Sequence, residues 1–305
     1  MRLLTRSDFD GLICAVLLKE VGVIDEYKFV HPKDIQDGKI EVNDNDCLAN
    51  IPYVPGCGLW FDHHSSEEER LGMGIEFEGR SELKDSCARV IWEYYGGHDK
   101  FPKRFDSMLV GVDKSDSGKL DKDDILSPEG WILLSFIMDP RTGLGRYRDY
   151  RISNYQLMED LIEYCRSMSV EEILQLPDVQ ERVRRYFEQD KLYKEMLEQT
   201  TTQHKNLIVI DLRNAAEIYT GNRFMEYVLW PDCNISLRVL WGFRKQNIVF
   251  TTGHSVLNRT SKTDVGALML KYGGGGHRQV GTCQVPIETA EEALVEIIAK
   301  INEDG

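Results

Sequence analysis

Asp62-His63-His64 stands directly after the apolar run Leu59-Trp60-Phe61. A short strand ending in an acid and two imidazoles carries three metal-competent side chains to its carboxyl end, where open α/β sheets bind their ligands. Near the N-terminus Asp8 and Asp10 flank Phe9, and Gly11 follows. Two such carboxylates at a strand-to-helix turn can face one pocket when the backbone bends between them, and glycine permits the close approach. Oxygen donors suit Mg²⁺ or Mn²⁺, and imidazole beside them moves the preference toward Mn²⁺. Each piece has a plainer reading. Asp8 and Asp10 could be a solvated turn with a helix N-cap acid, and His63-His64 a neutral pair in a polar loop. Together they favour a metal. Asp113 and Asp116 offer a further oxygen ligand, one of them as the ligand and the other as a loop acid.

A second set of residues suits anions. Gly273-Gly274-Gly275-Gly276 is a run of backbone N–H groups without side chains in the way, and His277 and Arg278 add charge-assisted donors. Its plainer reading is a flexible hinge, which rarely ends in His-Arg and re-enters a strand-like segment at once. Asn258-Arg259-Thr260-Ser261-Lys262 precedes it and is rich in phosphate donors. Arg141 and Arg146 punctuate a glycine-containing loop that reads equally as an exposed basic turn or a substrate contact. Tyr272, just before the glycines, could stack a base or pack in a core.

The elements that must carry these residues alternate. Residues 2–7 read as a short buried strand and 12–21 as a helix, with Leu12, Ile13, Val16, Leu17 and Val21 at helical spacing and Gly22 as its stop. Residues 27–30 read as the next strand, completing a parallel βαβ unit. Strands are expected at 47–49 and 59–61, a helix at 86–95, and a strand at 108–112 that delivers Asp113 to its end. Residues 154–199 read as charged helix interrupted at Pro177, hence two helices. Strand signals return at 207–210, 235–241 and 248–252, and a helix closes the chain at 290–301. The expected fold is α/β: a mostly parallel N-terminal sheet with helices on both faces (1–150), a helical connector (151–203) and a smaller α+β domain (204–305), with the active site in an interdomain cleft.

Composition narrows the partners. With 37 Lys and Arg against 51 Asp and Glu, the net charge is −14, which disfavours long nucleic acid but admits a small anion held by a local cationic cluster. The longest apolar run, 131–138, is too short for a membrane span. Met1-Arg2-Leu3-Leu4 meets Arg6 and Asp8 without a signal-peptide core. The seven cysteines are scattered with no Cys-x-x-Cys pair, so a reducing, cytoplasmic setting is expected.

Asp-x-Asp-Gly, Asp-His-His, a strand-end Asp and Gly-Gly-Gly-Gly-His, in this order over nearly the whole chain, resemble the DHH phosphoesterase family with its DHH-associated C-terminal domain. That family includes exonucleases, nano-RNases, phosphatases of adenosine bisphosphate, cyclic-dinucleotide hydrolases and exopolyphosphatases; the chain looks most similar to proteins labelled exopolyphosphatase-related. The resemblance implies that Asp8, Asp10, His63 and Asp113 ligate a manganese centre. It also implies that His64 faces the substrate phosphate, and that Gly274, Gly275, Gly276 and His277 with Arg259 grip the terminal phosphate or nucleotide. The metal would activate a water for in-line attack on phosphorus.

Two positions depart from the pattern. Leu4, Thr5 and Arg6 stand where many members carry a histidine, and Asn50 stands where a bridging Asp is usual. Arg6 would then serve as a fixed phosphate-binding cation, and the centre would hold one or two ions.

The expected protein is a Mn²⁺-dependent phosphoesterase, with Mg²⁺ as an alternative ion. Its substrate would be a small phosphate-terminated molecule, a short oligonucleotide or dinucleotide ahead of polyphosphate. Asp62, His63 and His64 are the candidate catalytic residues. Asp8, Asp10, His63, Asp113, Asn50 and Asp116 are the candidate metal residues. Arg6, His64, Arg141, Arg146, Asn258, Arg259, Gly274 to Gly276, His277 and Arg278 are candidates for substrate contact. No membrane partner is expected, and a homodimer is left open. The alternative is a non-catalytic nucleotide-binding protein on the same scaffold.

Overall fold

A computed structural model describes residues 1–64 and 75–305. They form two compact units: Met1–Lys119 with Pro128–Arg185, and Leu120–Ser127 with Tyr186–Gly305. In the first unit, strands β1 (Arg2–Arg6), β2 (Glu26–Val30), β3 (Asp46–Ala49), β4 (Leu59–Asp62) and β5 (Gly79–Ser81) form a parallel sheet in the order β2-β1-β3-β4-β5. The central strands are apolar on both faces because helices cover both. Leu3, Leu4, Leu48, Trp60 and Phe61 are all buried. The helix Phe9–Glu20 is buried from Phe9 to Leu18, as a helix apolar all round must be. It packs against the helices Cys87–Tyr94, Asp106–Asp116 and Asn154–Ser167.

This strand order reverses direction between β1 and β3, and such a switch point opens a crevice at the carboxyl ends of the strands. Arg6 closes β1, Asn50 follows β3, and Asp62 closes β4. The β4 end is held by its neighbours: Trp60 packs edge-on against Phe77 with ring centroids 4.8 Å apart, and its Nε1 donates to the Ile51 carbonyl at 3.0 Å.

The second unit carries a six-stranded sheet, β10-β11-β9-β8-β7-β6, built from β6 (Thr201–His204), β7 (Leu207–Asp211), β8 (Ile235–Trp241), β9 (Ile248–His254), β10 (Gly275–His277) and β11 (Val280–Val285). The β7–β8 pair is parallel and the others antiparallel. The helix Ala290–Asp304 lays Ala290, Ala293, Ile297 and Ile301, one face at helical spacing, into the core of this unit.

Two expected elements are corrected. Residues 108–112 are not a strand; they lie inside the helix Asp106–Asp116. Met108, Leu109 and Val112 are buried while Val110 is exposed, and Gly111 closes on Trp131, whose Cβ is 2.4 Å from where a glycine Cβ would sit. A five-residue apolar run cannot distinguish the two periods. Residues 154–199 hold three helices, not two: Asn154–Ser167, Val170–Gln175 and Pro177–Thr200. The unread break is the Ser169–Glu172 capping box, and Pro177 begins a helix instead of merely ending one. Among the described residues no helix is long and apolar enough to cross a membrane.

Candidate metal centre

The first turn after β1 sets two acids in different roles. Asp8 is the N-cap of the helix Phe9–Glu20, and its Oδ1 accepts from the Gly11 amide at 2.9 Å. A Cβ at Gly11 would fall 2.0 Å from the Arg6 carbonyl oxygen, so only glycine fits this turn. Asp10, in the first turn of that helix, is buried. Its two oxygens accept from the amides of Cys87 and Ala88, each at 2.9 Å, at the start of the helix Cys87–Tyr94. A helix N-terminus favours a carboxylate.

At the end of β4, Asp62 is fully buried and turns toward His64, accepting from its backbone N–H at 3.2 Å and meeting its Nδ1 at 2.9 Å. His63 turns the other way. Its Nδ1 lies 3.2 Å from the Lys84 carbonyl, which can only accept, so Nδ1 carries the proton and Nε2 the lone pair. That Nε2 is buried with no hydrogen-bond partner. It faces Asp116 Oδ2 at 3.2 Å and Asp10 Oδ2 at 3.7 Å. Ligand atoms of Asp10, His63 and Asp116 all lie within 4.8 Å of one another, the one such group among the described residues. A lone pair pressed against two carboxylates is repulsive unless a proton or a cation lies between them.

The electrostatics agree. Burial, then the Asp10 charge, pushes Asp116 up to about 7, and burial pushes Asp10 to about 6 against the help of His63 and the two amides. Burial lowers His63, but Asp10 and Asp116 outweigh it and raise its pKa. The buried Asp10 carboxylate, the solvent-reaching Asp116 carboxylate and a lone-pair imidazole whose other nitrogen is pinned by a carbonyl are a donor set that fits a divalent cation.

The other candidates separate into three groups. Beside the cluster, Asp8 Oδ2 pairs with Arg6 Nε at 3.0 Å, and Asp8 Oδ1 also accepts from Asn50 Nδ2 at 3.1 Å. Arg141 Nε pairs with Asp139 at 2.8 Å. Burial lowers the Arg141 pKa, but Asp139 first, then Asp8 and Asp116, raise it above the ordinary value. Away from the cluster, Asp113 Oδ1 accepts from Ser86 Oγ at 2.7 Å and its Oδ2 from Arg89 Nε at 2.9 Å. It sits on a helix, not at a strand end. Arg146 stacks over Tyr147 at 5.3 Å.

The third group lies in the second unit. The glycine run is not an open nest. The amides of Gly273 and Gly274 donate to Leu270 and Met269 and close the helix Val265–Leu270, and Gly275, Gly276 and His277 pair in β10. A Cβ at Gly274 would meet the Thr282 carbonyl at 2.1 Å and one at Gly276 the Val280 carbonyl at 2.2 Å. Gly273 and Gly275 have open space there, and His277 and Arg278 are exposed. The Asn258 backbone N–H donates to Ser255 Oγ, and Arg259 Nε donates to the Val256 carbonyl. Tyr272 packs against the core of this unit, with its hydroxyl on Glu296.

Lys84, Ser86, Cys87 and Ala88 were not singled out from sequence. Ser86 before an apolar helix carries an N-cap signature, but that this helix start would receive Asp10 depends on tertiary packing alone.

A parallel sheet with an acid-imidazole centre at its switch point is a candidate metal site of an open α/β protein. No family model matches the chain, and no curated protein matches it. Among solved structures it is similar to the pGpG-specific phosphodiesterase PggH from Vibrio cholerae, at 49% identity and TM-score 0.88, covering 100% of this chain and 99% of that one. An exopolyphosphatase-related protein from Bacteroides fragilis shares the fold at 12% identity and TM-score 0.50, over 98% of this chain and 91% of that one. The chain belongs to the DHH phosphoesterase family and is an enzyme of that class.

Proposed function

We propose that this protein is a Mn²⁺-dependent phosphodiesterase that hydrolyses a short linear dinucleotide of the pGpG type, adding water across the internal phosphodiester to give two mononucleotides. The substrate reading rests on the 49% identity, over essentially both full lengths, to a pGpG-specific phosphodiesterase. The observation that carries the chemistry is the partnerless His63 Nε2 between Asp10 and Asp116. When bound there, the cation supplies Lewis-acid activation of water and neutralises charge on the phosphoryl oxygens.

The chain's own residues do the rest. Asp10 and Asp116 hold the cation's charge, and the Lys84 carbonyl keeps His63 in the ligating tautomer. Asp62 fixes His64, whose ring centroid lies 4.3 Å from that of His63, so that it faces the phosphate. Arg141 adds positive charge beside Asp8 and Asp116. Net charge −14 supports a small substrate over a long strand, and the seven unpaired cysteines support a reducing cytoplasmic setting.

The test is product release by the purified full chain with Mn²⁺, read as mononucleotide from pGpG, as linear dinucleotide or mononucleotide from a cyclic dinucleotide, and as orthophosphate from adenosine bisphosphate and polyphosphate. Turnover of pGpG that is lost in His63→Ala is expected. No turnover of pGpG by folded, Mn²⁺-loaded wild type would overturn the reading.

A further inference from the structure

Resting on the phosphoesterase reading above, we propose that this centre takes one divalent cation per chain, and that the Arg6 guanidinium, fixed by Asp8, is the second positive group that meets the substrate phosphate. The cation donors are Asp10, His63 and Asp116, and among the described residues no other group of three converges. Asp8 adjoins them but is already spent. Its Oδ1 accepts from Gly11 N–H at 2.9 Å and from Asn50 Nδ2 at 3.1 Å, and its Oδ2 faces Arg6 Nε at 3.0 Å. All three partners present positive ends, which would repel a cation brought to the same carboxylate.

Asn50 cannot readily turn its oxygen inward instead. It is 2% exposed, its backbone is left-handed with φ 56°, and its N–H donates to the Phe61 carbonyl at 3.1 Å. A flipped amide would set its oxygen against Asp8. Two-metal phosphoesterase sites hold their ions about 3.5–4 Å apart, and here the adjoining Asp8 carboxylate that would share a second ion is engaged by a guanidinium and an amide.

Arg6 is suited to the vacated role. Its side chain stays 41% exposed while Asp8 anchors one edge of the guanidinium. A planar, permanently charged fork held in this way offers its remaining N–H groups to phosphate oxygens. Asp8 and Asn50 are then positioning residues: they aim Arg6 and do not ligate the cation.

Mn²⁺ stoichiometry of the full chain, by isothermal titration and native mass spectrometry, tests the first half. One ion per chain is expected, retained within about threefold affinity in Asp8→Asn and lost in His63→Ala. Two ions in the wild type, or loss of the ion in Asp8→Asn, would overturn it. Binding of inorganic phosphate to the Mn²⁺-loaded chain tests the second half. Arg6→Ala is expected to weaken it about 10- to 100-fold without changing Mn²⁺ affinity, and Arg6→Lys to restore part of it. Unchanged phosphate binding in both Arg6 variants would refute the role of Arg6. Neither measurement requires turnover, so a wrong substrate assignment would leave both results readable.

Discussion

The Asp10–His63–Asp116 centre and the Gly273–His277 segment both draw the eye in the sequence, yet the fold treats them oppositely. At the first, a buried imidazole nitrogen is left without a partner, and the carboxyls of Asp10 and Asp116 are pushed up toward neutrality. At the second, the first two glycine amides cap a helix, the rest pair in β10, and two of the glycines exist because a backbone carbonyl passes where a side chain would be. Burial without satisfaction is costly, and a bound cation would remove that cost at His63. At the glycine run the amides of Gly273 and Gly274 are already engaged within the fold. Residue type marks both places, and the state of their polar groups differs between them.

The largest expected effect breaks the first region. His63→Ala should lower kcat/KM more than about 100-fold, because even outer partners of a metal ligand are worth 10–100-fold. A fall of less than tenfold would show that His63 does not ligate the cation.

Glycine substitutions sharpen the contrast with the second region. Gly276→Ala, at φ 156° and with the Val280 carbonyl 2.2 Å from the new Cβ, should cost about 1–3 kcal/mol. Gly275→Ala, with no atom within 4 Å, should stay within about 0.5 kcal/mol. Denaturant titration measures both. Equal costs would mean that the glycines are not there for close approach.

The pH dependence follows from the raised carboxyls. Unfolded, Asp10 and Asp116 release their protons near the ordinary value of 3.8. Folded without metal, they hold them to about 6 and about 7. The native state therefore binds more protons, and stability of the metal-free protein falls as pH rises from about 4 to about 7. His63, also raised, contributes with the same sign, its share being lost as pH rises through its folded value. A bound cation removes the need for those protons, so the gain in Tm from Mn²⁺ should be larger at pH 8 than at pH 5. Equal gains would contradict the shared-proton picture.

The smallest effect separates two acids on one helix. Asp113→Asn should leave Mn²⁺ affinity within about threefold, because Asp113 is engaged by Ser86 and Arg89. Outer partners that do orient a ligand typically cost 10–100-fold. A loss of that size or larger would return Asp113 to the metal shell.

Strand ends were legible in the sequence because short apolar runs there stop at polar residues. Residues 2–7, 47–49 and 59–61 correspond to β1, β3 and β4, and the helix after Asp8 starts where its N-cap and glycine lie. The order β2-β1-β3-β4-β5 was not legible, since it depends on which parallel crossovers pack, and that order creates the crevice. Residues 108–112 misled because five apolar residues fit either period. Asp113 and Asp116 could be ranked only once the helix had turned Asp113 toward Arg89 and Asp116 toward His63. Arg6 and Asn50 were visible as departures, but their meeting on Asp8 is a contact across strands that no local pattern encodes.

The most direct measurement is anomalous diffraction at the manganese edge from crystals of the full chain soaked in Mn²⁺. A single peak bounded by His63 Nε2 and carboxylate oxygens of Asp10 and Asp116, with Asp8 still paired to Arg6, is the predicted result. Manganese held by Asp8 or Asp113, with none at His63, would contradict the account.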